Sequence, residues 1–144
     1  MSAPHISQIG AYVAARLGTA PAALPAGTRQ GPGHDRLLLG ESCVLVAATG
    51  AVTGGPTAQG YEVRLQHSSD NGASDAWADY VPAGPGSASV QLTAANAFAE
   101  KDVDLGAAKQ FVRVAEATTL TGGTSPSLQA CAFVVFGGAL TLPV

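Results

Sequence analysis

Short segments of continuous or alternating apolar residues, separated by Gly, Pro, Asn and Asp, run from Arg36 to the end of the chain. In residues 61–67 the apolar Tyr61, Val63 and Leu65 alternate with polar residues, which is typical of a strand with one buried face. Further strands are predicted at residues 37–39, 43–48, 77–81, 89–92, 103–105, 111–117 and 128–136. Short strands at this spacing, with turn residues between them, predict an all-β domain built as a β-sandwich or jelly roll.

Two Gly-rich segments of this region resemble each other. Residues 52–57 read Val-Thr-Gly-Gly-Pro-Thr and residues 120–125 read Leu-Thr-Gly-Gly-Thr-Ser, and each lies between two apolar segments. Both are predicted to be hairpin loops, in opposite parts of one sandwich. Coincidence is the alternative, because Gly-rich hairpin loops are common.

The N-terminal segment follows a different pattern. Apolar residues recur at helical spacing between a suitable N-cap, Ser7, and a suitable end, Gly18, which predicts an amphipathic helix of about ten residues. The apolar stripe of this helix consists of Ile6, Ile9, Val13 and Leu17. Residues 19–34 are rich in Pro and Gly and have no periodicity, which predicts an extended, irregular segment. We therefore expect an N-terminal arm, residues 1–35, and a β-sandwich domain, residues 36–144.

The chain is short of charge. Charged residues make up 12% of it, about half of the usual share for soluble domains. Because interspersed charge keeps free monomers soluble, this shortage suggests that neighbouring subunits cover much of the surface. A genome that favours Ala, Gly and Pro is an alternative explanation of the same composition.

Charge and hydropathy also restrict the partners and the compartment. The net charge of −3 and the absence of a Lys/Arg cluster argue against a nucleic-acid partner, since nucleic-acid affinity depends on neutralising phosphates. No apolar run approaches the ~20 residues needed to cross a bilayer, so no membrane partner is expected. A secretory signal is not expected either, because a basic N-terminal segment is missing and Gln8, Gly10 and Arg16 interrupt the apolar residues.

Both cysteines, Cys43 and Cys131, lie within apolar segments, where a free thiol packs like a small hydrophobic side chain. We expect both to be reduced and buried. A disulfide between the two strands is the alternative, which the absence of a secretory signal disfavours.

Motifs for catalysis or phosphate binding are missing from the sequence. The Gly-x-Ser-x-Gly pentapeptide of serine hydrolases does not occur, and residues 31–33 and 84–86 lack the Gly-Lys-Ser/Thr ending of a phosphate-binding loop. Asp102 and Asp104 project from the same side of a predicted strand, as glycosidase carboxylates do, but a solvated strand edge explains them better. We therefore expect no enzymatic activity and assign no catalytic or cofactor-binding residue.

One segment is a candidate for metal binding. Residues 70–75, Asp-Asn-Gly-Ala-Ser-Asp, form an oxygen-rich turn of the kind that wraps calcium, but they lack the alternating ligands and terminal Glu of a calcium loop. None of the spacings of a zinc site occurs among the three histidines His5, His34 and His67. We assign no metal ligand, and calcium binding by the turn is left open.

The β region resembles small structural proteins of tailed bacteriophages. In these proteins a strand ending in Leu-Gln-His/Glu-Ser is followed by an Asp/Gly turn and then Trp-x-Asp, as in residues 61–80 here. Four further motifs follow in the same order: Val-Asp-Leu at residues 103–105, Lys-Gln-Phe-Val-Arg-Val at 109–114, Thr-Gly-Gly-Thr-Ser-Pro at 121–126, and Gly-Gly-Ala-Leu-Thr-Leu-Pro-Val at 137–144. The resemblance covers residues 43–144, and the order of the motifs is more specific than any one motif.

The resemblance implies a capsid decoration (cement) protein, which is a β-sandwich on the outer capsid lattice that holds neighbouring subunits of the major capsid protein together. It implies a homo-oligomer, with a trimer favoured, no cofactor, and a place on the virion surface after synthesis in the host cytoplasm. Residues 1–40 lie outside the resemblance, which leaves open a position in the neck or tail.

Candidate interface residues come from the N-terminal segment and from the aromatic residues, since aromatics dominate interface energetics. They are Ile6, Ile9, Tyr12, Val13, Leu17, Trp77 and Tyr80. The arm is expected to dock on a neighbouring subunit, and docking on its own domain is the alternative. A carbohydrate- or host-surface-binding module is the second functional hypothesis, and it requires Trp77 and Tyr80 as an exposed platform.

Overall fold

The computed structural model describes residues 9–138, which fold into two antiparallel sheets packed face to face. Sheet A contains β1 (Val13–Leu24), β4 (Ser42–Thr53), β8 (Phe98–Asp104) and β10 (Ser127–Gly137), in the order β1-β10-β4-β8. Sheet B contains β2 (Gly27–Gln30), β3 (His34–Asp35), β5 (Ala58–Ser68), β6 (Ala78–Asp79), β7 (Ser89–Leu92) and β9 (Phe111–Thr121). Its order is β2-β9-β5-β6, and β3 also pairs with β9 and β7 with β5. A 3-10 turn (Ile9–Ala11) precedes β1, and one helical turn, α1 (Arg36–Leu39), lies between β3 and β4.

The chain passes from one sheet to the other at most of its connections. β1, β4, β8 and β10 lie in sheet A, and the strands between them in the sequence lie in sheet B. If β2 with β3, and β6 with β7, are each counted as one interrupted strand, the two sheets have the eight strands of a jelly roll. The prediction of an all-β sandwich with jelly-roll-like topology is confirmed.

Alternate side chains of the two sheets form a single core between them. The largest fully buried side chains include Leu45 and Phe136 from sheet A and Tyr61, Leu65 and Val114 from sheet B. The long strands β4, β5, β9 and β10 contribute to this core at a period of two, as pleated strands do. The residues between these core positions therefore point outward, and they define the outer face of each sheet.

Residues 13–35 are strands of the sandwich, which differs from the expectation of a separate arm. β1 pairs with β10 from Val13 to Leu24, with register shifts between Leu17 and Thr19 and again beyond Thr19. β2 and β3 pair with β9 in the other sheet. This segment thus supplies one edge of sheet A and one edge of sheet B.

The predicted N-terminal helix is wrong, because the chain forms a 3-10 turn and then β1 in this region. Ile9, Val13 and Leu17 are four residues apart, and this spacing puts side chains on one face of a helix and also on one face of a strand. The segment forms a strand because it pairs with β10 along the whole of β1. Ile6 and the predicted N-cap Ser7 lie outside the described residues.

Residues 37–39, which were predicted to form a strand, belong to the helical turn α1 instead. The Asp35 carboxylate caps this turn by accepting a hydrogen bond from Leu37 N at 3.0 Å, and Gly40 follows the turn with a φ of 149°. A run of three apolar residues has no periodicity that separates a helix from a strand. In the helical turn, the side chains of Leu37 and Leu38 are exposed.

The two similar Gly-rich segments connect the two sheets, and the prediction that they are hairpin loops is wrong. One joins β4 to β5 and the other joins β9 to β10. Gly54, Gly55, Gly122 and Gly123 all have positive φ, a conformation that favours glycine. Thr124 N donates a hydrogen bond to Gly54 O at 2.8 Å, so the two loops also contact each other. The similar sequences therefore fold into similar connections at one end of the sandwich.

A buried carboxylate joins the first strands to the rest of the sandwich. The side chain of Glu116 in β9 is 1% exposed, and Arg29 of β2 forms an ion pair with it. Thr19 of β1 and Tyr61 of β5 each donate a hydrogen bond to Glu116 Oε2 at 2.5 Å. Burial and the hydrogen bond to this carboxylate raise the pKa of Tyr61. Four strands from both sheets thus meet at one side chain.

Candidate protein-interaction surface

The outer face of sheet A is apolar. The outward positions of its two central strands, β4 and β10, carry no charged residue. We define the apolar face by its outward side chains: Val13, Ala15 and Leu17 of β1, Cys131, Phe133 and Val135 of β10, Val44, Val46 and Ala48 of β4, and Phe98 of β8.

The strand register arranges these side chains in rows across the sheet. Leu17 lies beside Phe133, and Phe133 lies beside Val46. Side chains that are directly opposite on neighbouring antiparallel strands are close enough to touch. The exposed fractions are 45% for Leu17, 36% for Phe133 and 64% for Phe98. The rows therefore form one contiguous apolar surface that remains open in the single chain.

Acidic side chains border the apolar face on one side. Glu100 of β8 is opposite Val46, and Asp102 is opposite Val44, so both carboxylates continue the apolar rows to the sheet edge. Asp104 follows at the end of the same strand, and all three residues are exposed. Within residues 9–138 none of the three forms an ion pair. We call Glu100, Asp102 and Asp104 the acidic row.

Two shallow depressions lie at opposite ends of the apolar face. One has a volume of about 560 Å³ and is lined by residues that include Pro21 and Cys131. The other has a volume of about 340 Å³, and its lining includes the apolar Val44 and Val135 together with Asp102. The face is therefore shaped to receive protruding side chains at both ends.

The outer face of sheet B is polar, and its side chains are paired with one another. Arg64 of β5 forms an ion pair with Asp79 of β6 at 3.1 Å, and Gln66 donates a hydrogen bond to the same carboxylate at 2.9 Å. Arg113 of β9 donates to Gln66, and its guanidinium lies 4.5 Å from the centroid of the Trp77 ring. This is the composition of a sheet face in contact with water. The two outer faces thus differ in kind.

The interface residues predicted from the N-terminal segment lie on and beside the apolar face. Val13 and Leu17 point outward from β1 onto this face, although they do so on a strand and not on a helix. Ile9 and Tyr12 are exposed at the end of sheet A where β1 begins. Ile6 lies outside the described residues.

The two predicted aromatic anchors lie directly before and after β6, at the edge of sheet B. Trp77 packs against Arg113 and covers Gly72, where an added Cβ would lie 2.3 Å from the indole Nε1. Tyr80 is 4% exposed, and its hydroxyl donates a hydrogen bond to Asp104 O at 2.7 Å. Tyr80 is therefore a core residue and offers no surface to a partner.

Sequence reasoning missed the central and β8 residues of the apolar face, which are Val44, Val46, Phe98, Phe133 and Val135. A signal for most of them was present, because residues 43–48 and 128–136 are nearly continuous apolar runs. A strand with one solvated face alternates, as residues 61–67 do, whereas a continuous run indicates a strand that is covered on both faces.

Both cysteines are free thiols, but only one is buried as predicted. Burial, together with the charge of Asp102, raises the pKa of Cys43 to about 12, so this thiol stays protonated. Cys131 lies on the apolar face and is partly exposed. Burial raises its pKa as well.

The turn at residues 70–75 is held together by its own carboxylates. Asp70 accepts hydrogen bonds from Ser74 N at 2.7 Å and from Ser74 Oγ at 2.5 Å, and Asp75 forms an ion pair with Lys109 at 2.7 Å. The hydrogen bonds from Ser74 lower the pKa of Asp70, and those from Lys109 lower the pKa of Asp75 to about 2.

Residues 9–138 bring no three His, Cys, Asp or Glu side chains into an arrangement that would hold a metal ion. None of the helices in this range has the length and apolarity needed to cross a bilayer.

No protein-family model matches the chain, and no curated protein matches it significantly. The geometry and chemistry of the apolar face are therefore the basis for a functional proposal.

Proposed function

We propose that the chain is a non-enzymatic structural protein of a tailed-phage virion, a decoration (cement) protein that binds the major capsid protein lattice. The observation that carries this proposal is the apolar face. The largest apolar patch on a soluble monomer is usually about 300–600 Å² and is often functional. The apolar face spans all four strands of sheet A, so its size and continuity favour a surface that another protein covers.

Composition and sequence resemblance support the same role. With 12% charged residues, the chain has little of the surface charge that keeps a free monomer soluble. Residues 43–144 resemble small structural proteins of tailed bacteriophages in the order of their motifs, and this resemblance implies a decoration protein. Jelly rolls occur in viral capsid domains and in lectins, so the fold is compatible with this role without selecting it.

A cement protein must contact more than one neighbour, and the chain offers a second exposed apolar area. It lies at the end of sheet A where β1 begins, and it comprises Ile9, Tyr12, Leu37 and Leu38. α1 is held against this end of the sheet, since a Cβ added at Gly40 would lie 2.1 Å from Gly137 O at the end of β10. We assign this area and the apolar face to different neighbours in the lattice.

The carbohydrate- or host-surface-binding alternative requires an exposed aromatic platform. Its two aromatic residues are Trp77, which packs against Arg113, and Tyr80, which is buried in the core. No contact of these residues favours this alternative.

The test is to purify the particle that contains this chain and to measure its copy number relative to the major shell protein. A decoration protein is expected at a copy number comparable with that of the shell protein. A copy number that corresponds to a single ring would assign the chain to the neck or tail, and absence from particles would refute a virion role.

A further inference from the structure

We propose that the apolar face docks on a different protein, which presents an apolar surface with Lys or Arg side chains along one edge, opposite the acidic row. This inference rests on the proposed function, and it adds the chemistry of the capsid surface that the face recognises. It starts from the charge of the face: three exposed carboxylates lie along one edge without an ion pair among residues 9–138, and the remainder of the face is uncharged.

A second copy of the chain has too few free cations to neutralise the acidic row. Six of the seven basic side chains are already engaged within the chain: Arg29, Arg36, Arg64, Lys101, Lys109 and Arg113. The seventh, Arg16, pairs in β1 with Val134, whose side chain points into the core. Arg16 therefore projects away from the apolar face.

Stacking two copies through their apolar faces also leaves the carboxylates without partners. Such copies are related by a two-fold axis in the plane of the interface. If the axis is perpendicular to the strands, β8 lies over β8 of the other copy and the acidic rows repel each other. If the axis is parallel to the strands, Glu100 and Asp102 lie over the apolar Ala15 and Leu17 of the other copy. Carboxylates that are desolvated without a partner oppose binding, so both arrangements are unfavourable.

The outer face of sheet A is close in size to one side of a stable protein complex, and the apolar face occupies about half of it. Four strands that are about 4.8 Å apart, most of them about 11 residues long at about 3.4 Å per residue, give an outer face on the order of 600 Å². The apolar face takes five residues of β1, β4 and β10, so its own area is on the order of 300 Å². Specific, stable complexes bury about 800 Å² per partner. The apolar face thus provides part of an ordinary interface, and contacts around it would provide the remainder.

The smaller depression explains why a long basic side chain fits this edge. Its lining includes Val44 and Val135, and Asp102 and Asp104 also border it. Lys and Arg side chains lay their apolar stems on hydrophobic surface and keep the charged head in a polar environment. A partner's basic side chain that enters this depression would pack its stem on the valines and pair its head with the carboxylates.

The experiment uses particles from cells in which the wild-type chain is replaced by a tagged variant, and it measures the ratio of tagged chain to shell protein after washing at low and high salt. The face variants are Phe133→Asp and the double variant Glu100→Lys/Asp102→Lys. The matched controls, Thr119→Asp and Glu62→Lys, make the same kinds of change on the outer face of sheet B. Circular dichroism and thermal unfolding check that every variant is folded.

We expect Phe133→Asp to weaken binding on the order of a hundredfold, as for a residue at the centre of an interface. Wild-type binding should weaken as the salt concentration rises, whereas the double Lys variant should bind about tenfold more weakly at low salt and should lose this salt sensitivity. Both controls should bind as wild type does. Sedimentation of the wild-type chain should show no dimer that the Phe133→Asp substitution converts to monomer.

Two results would overturn the inference while leaving the proposed function intact. One is face variants that fold and occupy particles at the wild-type level. The other is a wild-type dimer that Phe133→Asp converts to monomer, which would mean that a second copy covers the face. If the wild-type chain itself is absent from particles, the proposed function fails, and this inference fails with it.

Discussion

Replacing Arg29 with Met leaves the Glu116 carboxylate buried without its cation. The Glu116 side chain is 1% exposed and that of Arg29 is 30% exposed. Thr19 and Tyr61 still donate hydrogen bonds to the carboxylate, but neither carries a positive charge. Removing one partner of a buried ion pair costs about 3–5 kcal/mol. Because the guanidinium is partly exposed to water, we expect the lower end of this range, about 3 kcal/mol.

Thermal and urea unfolding measure this loss. A destabilisation of about 3 kcal/mol lowers the melting temperature by about 6–12 °C in a chain of this size. The matched control is Arg64→Met on the outer face of sheet B. There the Arg64 and Asp79 side chains are 38% and 49% exposed, and such surface pairs contribute about 0–1 kcal/mol.

The double variant Arg29→Met/Glu116→Gln separates the effect of charge from that of packing. Gln still accepts the hydrogen bonds of Thr19 and Tyr61 but carries no charge, so the double variant should be more stable than Arg29→Met alone. The reasoning is refuted if Arg29→Met melts at the same temperature as Arg64→Met. It is also refuted if the double variant is less stable than the single one.

Four further predictions concern the thiols, the turn and the first strand. A thiol reagent should label the partly exposed Cys131 well before the buried Cys43, and equal rates in the native protein would contradict the burial pattern. Because the pKa of Cys43 is raised to about 12, its contribution to stability is complete below the ordinary thiol pKa and is lost as the pH rises from about 9 to about 12. Cys43→Ala should therefore flatten the fall in unfolding free energy above pH ~9, by up to about 1.4 kcal/mol per pH unit in urea titrations, and an unchanged slope would count against it. Lys109→Met should raise the pKa of Asp75 from about 2 toward its ordinary value, and an NMR titration that finds no change would show that the ion pair does not set it. Deleting residues 1–24 removes β1 and uncovers the edge of β10, so we expect loss of the β-sheet circular dichroism signal; a folded product would mean that sheet A is stable without this strand.

Two kinds of strand could be predicted from the sequence. The first kind has a polar outer face, and the second consists of a long run of apolar residues. In β5, the alternation from Tyr61 to His67 follows directly from a core on one side and water on the other. The runs at residues 43–48 and 128–136 also predicted strands, since their length and β-branched content are typical of strands. The structure of these strands is therefore indicated mainly by the local pattern of apolar and polar residues.

β1 could not be predicted, because long-range pairing decides its structure. The spacing of Val13 and Leu17 fits both a helix and a strand, and the residues after Gly18 include Pro21 and several alanines, which are weak strand formers. Its partner, β10, lies more than a hundred residues further along the chain. The ion pair between Arg29 and Glu116 is equally remote in sequence, and no local pattern indicates it.

The outward positions of the apolar face that sequence reasoning missed account for part of the shortage of charge in the chain. In β5 the outward Glu62 and Arg64 supply the charge that a solvated strand needs, whereas in β4 the equivalent outward positions are Val44 and Val46. An antiparallel sheet with one face in water commonly alternates apolar and polar side chains, so an apolar outer side is unusual for a solvated strand. Within residues 9–138 the sandwich covers only the inner side of β4 and β10. The outer side therefore has the composition of a covered surface, and a continuous apolar run in a predicted antiparallel strand, read together with low charge, is the sequence signal for the partner that we propose.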